Sequence, residues 1–365
     1  MGDVMHQWAD LPKDLLQIIA ERFNSLLDFL PLRAVCTSWR SSLTLPSFVE
    51  EIPRLTFKLP DPIEEKFVLF KTSIYRVELT NRTPNSSKGW LTQIRHTKTG
   101  KLQLSHPISG AQIRYSSIPF ISSSEPRFVQ LHESFNLESI KPDRYTDPDD
   151  PYHIPGIGFK AIVPSSATWA KNFVAFIAIM EGLWFWDSRD EDWKFLHVDD
   201  NDNRCYYDDI IEFKGQVYAV DKLGTVFWIS PVPLSSIQYS PMLINGNGNR
   251  KFLLESCGDL YVVDMYVADT YLYKETDMDF KVYKLDEEEN GGWLEVKCLG
   301  DQMFVVNMDF SFSISSSEFV GGKPNCIYFT DYVHGQGLLF WLEDGTVQKL
   351  KSFPEIFLSP NCSLN

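Results

Sequence analysis

Beyond Pro53 the apolar residues of this 365-residue chain stop recurring at helical intervals. They gather instead into runs of four to eight, rich in Val, Ile, Phe, Tyr and Trp and parted by turn residues. The stretches 67–70, 75–79, 90–94, 173–180, 217–220, 225–229, 260–263 and 337–342 are examples. No amphipathic helical period intervenes, so everything after the first fifty residues is expected to be all-β. A finer repeat runs through this pattern. The segments from Gly182 to Asp187, Gly215 to Asp221 and Gly258 to Asp264 each carry a turn glycine, a mid-strand aromatic and a closing aspartate. The segment from Asn325 to Asp331 repeats them with asparagine in place of glycine, and both residues tolerate a left-handed turn. The glycines lie 33 and 43 residues apart, and the next step, of 67, contains an acidic, turn-rich excursion around 286–292. All-strand repeats near forty residues read as propeller blades, and the 315 residues after position 50 make about seven of ~45 residues each. Six blades with insertions, or a pair of packed sandwiches, satisfy the same irregular spacing.

The first fifty residues follow a different rule. Pro12 suits the first position of a helix, where its missing N–H would be unbonded anyway, and Asp14 places an acid in the first turn. Leu15, Ile19 and Phe23 recur every four residues with Leu16 beside them. Asn24 and Ser25 break that period and cap a short second segment at 26–30. Pro31 opens a third, in which Leu32, Val35, Cys36, Trp39 and Leu43 fall at three- and four-residue intervals before Pro46 closes the unit. Three helices this short cannot bury all these stripes against one another. The surplus apolar surface implies a permanent protein partner.

The order Trp8-Ala9-Asp10-Leu11-Pro12-Lys13-Asp14-Leu15-Leu16, then Ile19 and Arg22, then Val35-Cys36-Thr37-Ser38-Trp39-Arg40, resembles an F-box. The resemblance implies docking onto a Skp-family adaptor and, through it, a cullin. It makes Leu11, Pro12, Leu15, Leu16, Ile19, Val35, Cys36 and Trp39 adaptor-facing or supports of that face, and the motif does not say which point outward. Further on, Trp90-Leu91, the stretch 102–104 and His106-Pro107-Ile108-Ser109-Gly110 are similar to a segment of plant F-box proteins with a KIB-type, kelch-related propeller. So are Cys326 to Asp331, Leu339-Phe340-Trp341 and Asp344-Gly345-Thr346, while His106 and Ser109 depart from that family's usual Asn and Thr. The expected organisation is an all-α F-box over 1–50, a linker over 51–60 and a β-propeller over 61–365. In that family the propeller is thought to hold a target protein, and no target-binding residue is legible in the sequence.

Composition narrows the function further. The formal charge is −15, of which −2 belongs to residues 1–50 and −13 to the rest. Such a surface repels phosphate backbones and excludes nucleic acid as an expected partner, whereas basic proteins or peptides are steered toward it. There is no apolar run long enough to span a membrane, and the polar start does not read as a signal peptide. A cytoplasmic or nuclear chain is expected. Its six scattered cysteines are expected to be mostly small buried hydrophobes. The ending Cys362-Ser363-Leu364-Asn365 fits a prenylation box only formally, with no basic cluster before it.

Catalytic signatures are missing: no phosphate-binding glycine loop, paired-histidine zinc helix or nucleophile-elbow serine occurs. No cofactor, metal or enzymatic activity is expected. The acidic clusters at Asp187, 190–192, 199–203, Asp208-Asp209 and 286–289 read as solvated hairpin tips. The rival reading makes paired carboxylates glycoside-processing groups, or the propeller a sugar-binding module, and demands a deep pocket with convergent acids. His132 and His197 are read as surface or satisfied histidines rather than ligands, and Trp169, Trp184 and Trp186 as core rather than target anchors.

Overall fold

The computed structural model describes residues 11–20, 22, 36–43, 56–58, 66–79, 88–96, 102–108, 112–113, 126–139, 159–164, 174–179, 182–187, 189, 193–196, 207–267, 278–287, 291–331, 336–350 and 356–357. The chain divides into two compact units, Met1–Leu55 and Thr56–Asn365. In the first, helices α1 (Lys13–Ala20) and α2 (Thr37–Ser42) are described, while the expected segment at 26–30 lies outside the described residues. In the second, twenty-two strands form four hydrogen-bonded sheets among the described residues. The first of them, β1 (Thr56–Lys58), lies inside the stretch read as a linker and pairs with the next strand.

Each sheet follows the two-residue period of its strands. The first sheet is continuous because β2 (Lys66–Leu79) and β5 (Pro126–Ser139) pair along nearly their whole length. One end of that ladder continues through β3 (Trp90–His96) to β4 (Leu102–Ser105). The other continues through β6 (Phe159–Ile162) to β7 (Val174–Ile179), β8 (Gly182–Asp187) and β9 (Trp193–Leu196). The second sheet is β10 (Tyr207–Phe213), β11 (Gln216–Asp221), β12 (Val226–Pro231) and β13 (Leu234–Gln238). The third is β14 (Arg250–Ser256), β15 (Asp259–Val267), β16 (Met278–Leu285) and β17 (Trp293–Val296). The fourth contains β18 (Gln302–Val306), β19 (Ser311–Ser315), β20 (Cys326–Asp331), β21 (Gln336–Trp341) and β22 (Val347–Lys349). There β18 runs parallel to β20, the one parallel ladder among the described strands apart from isolated bridges.

The apolar clusters show how the sheets close into a ring. On β18, Met303 and Val305 join one cluster and Phe304 and Val306 another; on β20, Cys326 and Tyr328 go one way and Ile327 and Phe329 the other. The fourth sheet is thus buried on both faces, against the third by one face and against Ile74, Leu91 and Ile108 of the first by the other. Two further clusters join the first sheet to the second and the second to the third. A cyclic order of sheets, each covered twice, is a propeller and not a pair of sandwiches, and it explains why the strands read as continuous apolar runs. Four hydrogen-bonded sheets do not by themselves divide into six or seven blades.

The repeat identified in the sequence is turn chemistry. Gly215, Gly258 and Asn325 all have positive φ; the first two sit in the β10–β11 and β14–β15 hairpin turns, whereas Asn325 ends the loop that leads into β20. Gly182 does not serve that way: a Cβ there would meet the Phe195 ring at 2.1 Å, so close packing is what excludes a side chain. The closing aspartates at 187, 221 and 264 are buried and used. Asp221 accepts the backbone N–H of Leu223 and of Thr225 at 2.9 and 2.7 Å, and Asp187 accepts that of Arg189 at 2.8 Å. Asp264 accepts from Gly248 at 3.2 Å and pairs with the fully buried Lys251 at 3.0 Å. Cysteine burial departs from expectation: Cys326 is buried, but Cys257 and Cys298 are exposed.

The ring is closed by residues far apart in sequence. Leu91 donates its N–H to Ile356 O at 2.8 Å, and Gly89 exchanges backbone bonds with Glu318 O and Val320 N at 2.9 and 3.0 Å. Arg76 pairs with both Glu78 and Glu318. Thr330 Oγ1 donates to Ile108 O at 2.8 Å. Phe357 is fully buried, with its ring 4.2 Å from that of His106 and 5.8 Å from that of Tyr328. His106 accepts the Ile108 N–H on Nδ1 at 3.2 Å, the bond an Asx turn would make.

Two outcomes follow from this closure. Phe357→Ala should lower the unfolding free energy by about 3–5 kcal/mol, the range for emptying a buried aromatic site, as read from urea denaturation. Burial pushes the His106 ring down to about 4, below the ~6.5 of an unfolded histidine. Between those values the unfolded chain binds a proton the native ring refuses. The contribution is therefore complete above about pH 6.5 and lost as pH falls toward 4. Urea midpoints should decline across that window, and His106→Asn, which keeps an acceptor for Ile108, should flatten the decline.

Candidate functional site

The N-terminal unit splits the eight predicted docking residues by burial. Leu16 and Trp39 are buried and form a small core with Leu43, against which Leu11 and Cys36 pack half-buried. Helix α1 starts one residue later than expected, with Leu16 N donating to Pro12 O at 3.1 Å. Cys36 caps α2 in extended conformation, its Sγ accepting the Trp39 N–H at 3.4 Å. These five residues hold the helices together.

Pro12, Leu15 and Ile19 face outward. Leu15 is 50% exposed, Ile18 53% and Ile19 37%, and the three-, four-residue spacing puts them on one face of α1. Ile18 was not among the predicted residues. The four-residue stripe drew attention to Leu15 and Ile19, and the signal for Ile18 was its i+3 relation to Leu15. Val35 lies outside the described residues. An eight-residue helix exposing three large aliphatic side chains gains nothing from them in its own folding.

The paired carboxylates of the rival reading behave differently from expectation. Asp208 and Asp209 are not a solvated tip: both are buried, in strand β10. Asp208 Oδ2 accepts the Lys251 N–H at 2.9 Å, and Arg250 Nη2 donates to Asp208 O at 3.0 Å. Asp209 Oδ2 accepts the Leu253 N–H at 2.8 Å and the Ser311 hydroxyl at 3.3 Å, while Oδ1 pairs with Lys160 Nζ at 2.6 Å. Lys160 also donates to Ser311 Oγ at 3.2 Å, and Ser311 to Leu253 O at 2.6 Å. The register of β10 shifts between Tyr207 and Asp209, and both carboxylates accept backbone N–H groups of β14 in the next sheet. Burial pushes the Asp208 carboxyl up, with Arg250 and Lys251 opposing it. Two acids so occupied do not flank a substrate as glycoside hydrolysis requires.

Beside this cluster lies a cavity of about 410 Å³, lined among others by His132, Ser134, Lys160, Ile210, Glu212 and Ser311. His132 stacks on Phe312 with centroids 5.2 Å apart. Burial, with Lys160 adding, pushes its ring down to about 3, so it is neutral in the fold. Of its lining groups, His132 Nε2 and Ser134 Oγ are buried without a hydrogen-bond partner among the described residues, whereas Lys160 and Ser311 are held by Asp209. Trp186 is buried as core, whereas Trp184 is only half-buried and packs edge-on to Phe195; Trp169 and His197 lie outside the described residues.

Removing one partner of the Lys160–Asp209 pair should be costly. Asp209→Ala should destabilise the chain by about 3–5 kcal/mol, and Lys160→Met combined with Asp209→Leu by less, as checked by urea denaturation of the three proteins.

The chain matches the KIB1-4 beta-propeller family model over residues 57–348. F-box protein At2g26160 of Arabidopsis thaliana is 30% identical over 340 residues, which cover 90% of this chain and 96% of that protein. F-box protein At4g35733 is 29% identical with 96% of each covered, and F-box protein SKIP23 is 26% identical over 98% and 95%, both from the same plant.

Proposed function

The chain belongs to the KIB1-4 beta-propeller family, and from that premise we propose that it is the substrate receptor of a Skp–cullin–F-box ubiquitin ligase. Its relatives are named F-box proteins, which supports an adaptor role rather than catalysis. In this reading the N-terminal unit is a three-helix F-box that grips a Skp-family adaptor, and a cullin through it. The propeller holds the target protein in the cytoplasm or nucleus. The ligase gains effective concentration and orientation from two rigid units, and the chain itself makes and breaks no bond.

The observation that carries this reading is the outward apolar face Pro12, Leu15, Ile18 and Ile19, standing on a core of Leu16, Trp39 and Leu43. Truncating central apolar contacts of an interface typically removes most of its binding energy. The full chain should capture a recombinant Skp-family adaptor, and Leu15→Asp with Ile19→Asp should abolish capture while the propeller's urea midpoint stays unchanged. Equal capture by the variant would sink the assignment.

A further inference from the structure

Apart from the α1 face, every large apolar side chain that is exposed among the described residues lies between Leu223 and Leu294: Leu223, Val232, Ile237, Tyr239, Met242, Ile244 and Leu294. Six of those seven fall in 223–249, and that stretch contains no charged residue, although 23% of the chain is charged. An exposed surface stripped of charge and studded with aliphatic and Met side chains has the composition of an interface centre, not of ordinary protein surface.

The loop from Tyr239 to Asn249, which joins β13 to β14, is firmly anchored. Leu243 is buried against Gly224 and Gly246, where an added Cβ would meet it at 2.5 and 2.4 Å. Its N–H bonds Leu223 O at 3.1 Å, Val226 N bonds Ser240 Oγ at 2.9 Å, and Trp293 Nε1 bonds Pro241 O at 2.8 Å. Tyr266 Oη holds Asn245 O at 3.0 Å. These bonds bring Leu223, Met242 and Ile244 into one neighbourhood while leaving Met242 59% and Ile244 82% exposed. A backbone fixed beforehand forfeits little ordering entropy when its side chains are covered, which is how a binding surface gains affinity. The patch borders an acidic turn: Glu287 is exposed and accepts from Tyr239 Oη at 3.0 Å and Lys214 Nζ at 3.1 Å, with Asp286 beside it.

We propose that this anchored loop, centred on Met242 and Ile244 with Leu223 beside them, is where the propeller takes its target, and that the target offers an apolar side chain flanked by lysine or arginine. The apolar centre matches the uncharged stretch, and the basic flanks match the acidic turn and the −13 carried by residues beyond position 50. The same charge disfavours an anionic membrane as the occupant. The inference rests on the receptor reading above.

Random dodecapeptides displayed on phage, selected on the full chain, test it. Enriched peptides are then titrated by fluorescence polarisation against the native chain, Met242→Asp/Ile244→Asp and, independently, Leu223→Asp. The expected consensus is an apolar anchor beside Lys or Arg, bound about tenfold or more weakly by each variant and more weakly in high salt. Melting temperatures should not move, because all three side chains are exposed. Leu15→Asp/Ile19→Asp should bind the peptides as the native chain does, so failure of adaptor capture and failure of this surface are separate results. Peptides that bind the variants equally, a consensus without basic residues, or no consensus would overturn the proposal. So would a native dimer in sedimentation that Met242→Asp/Ile244→Asp dissolves, or flotation with phosphatidylcholine vesicles that it abolishes.

Discussion

Asp209 sits where all four sheets of the propeller converge. Its carboxylate is shared by Lys160 of the first sheet and Ser311 of the fourth, and it receives the Leu253 N–H of the third while belonging to the second. Adjacent sheets of a ring splay outward and cannot continue one another's ladders, so inner-strand N–H groups would face a low-dielectric interior unpaired. Side-chain acceptors solve this, and a buried acid can do so only with a cation beside it. Lys160 supplies that cation, and the Lys251–Asp264 pair repeats the arrangement one strand along. The acidic composition is thus partly structural, and the buried acids are ones a sequence reading places at the surface.

Around that centre the apolar clusters set the order of sheets. Each sheet sends alternate side chains to opposite neighbours, so loss of register in one strand would empty two interfaces at once. This makes the ring cooperative and leaves little apolar surface for other use. Among the described residues, large aliphatic side chains remain outside on helix α1, in the 223–249 region and at Leu294, and they stand out for that reason.

What the sequence disclosed followed from local chemistry. Turn glycines and asparagine at 215, 258 and 325 were legible because only such residues take positive φ cheaply. The runs that became β3, β7, β11, β12, β15 and β21 were legible because two-sided burial leaves no polar positions in a strand. In the first unit, the leucines and isoleucines of α1 were legible as a stripe but not as a direction, since outward Leu15 and inward Leu16 are adjacent and equally apolar. Non-local features were hidden. Nothing in Asp208-Asp209 signals the N–H groups of residues forty positions later, and nothing in Ile356-Phe357 signals a partner in β3. The long β2–β5 ladder was equally opaque, because its two 14-residue strands are separated by the whole of the β3–β4 excursion.

The bond between Leu91 and Ile356 has a bearing on biosynthesis. During translation helices α1 and α2 leave the ribosome before the strands, whereas the ring has no means of shutting until residue 357 has been made. Contacts this remote in sequence form late and slowly. For most of its synthesis the nascent polypeptide therefore carries a ring left open, with inner strands and both apolar walls of the seam uncovered, and the interval is set by the rate of elongation rather than by the strength of any single contact.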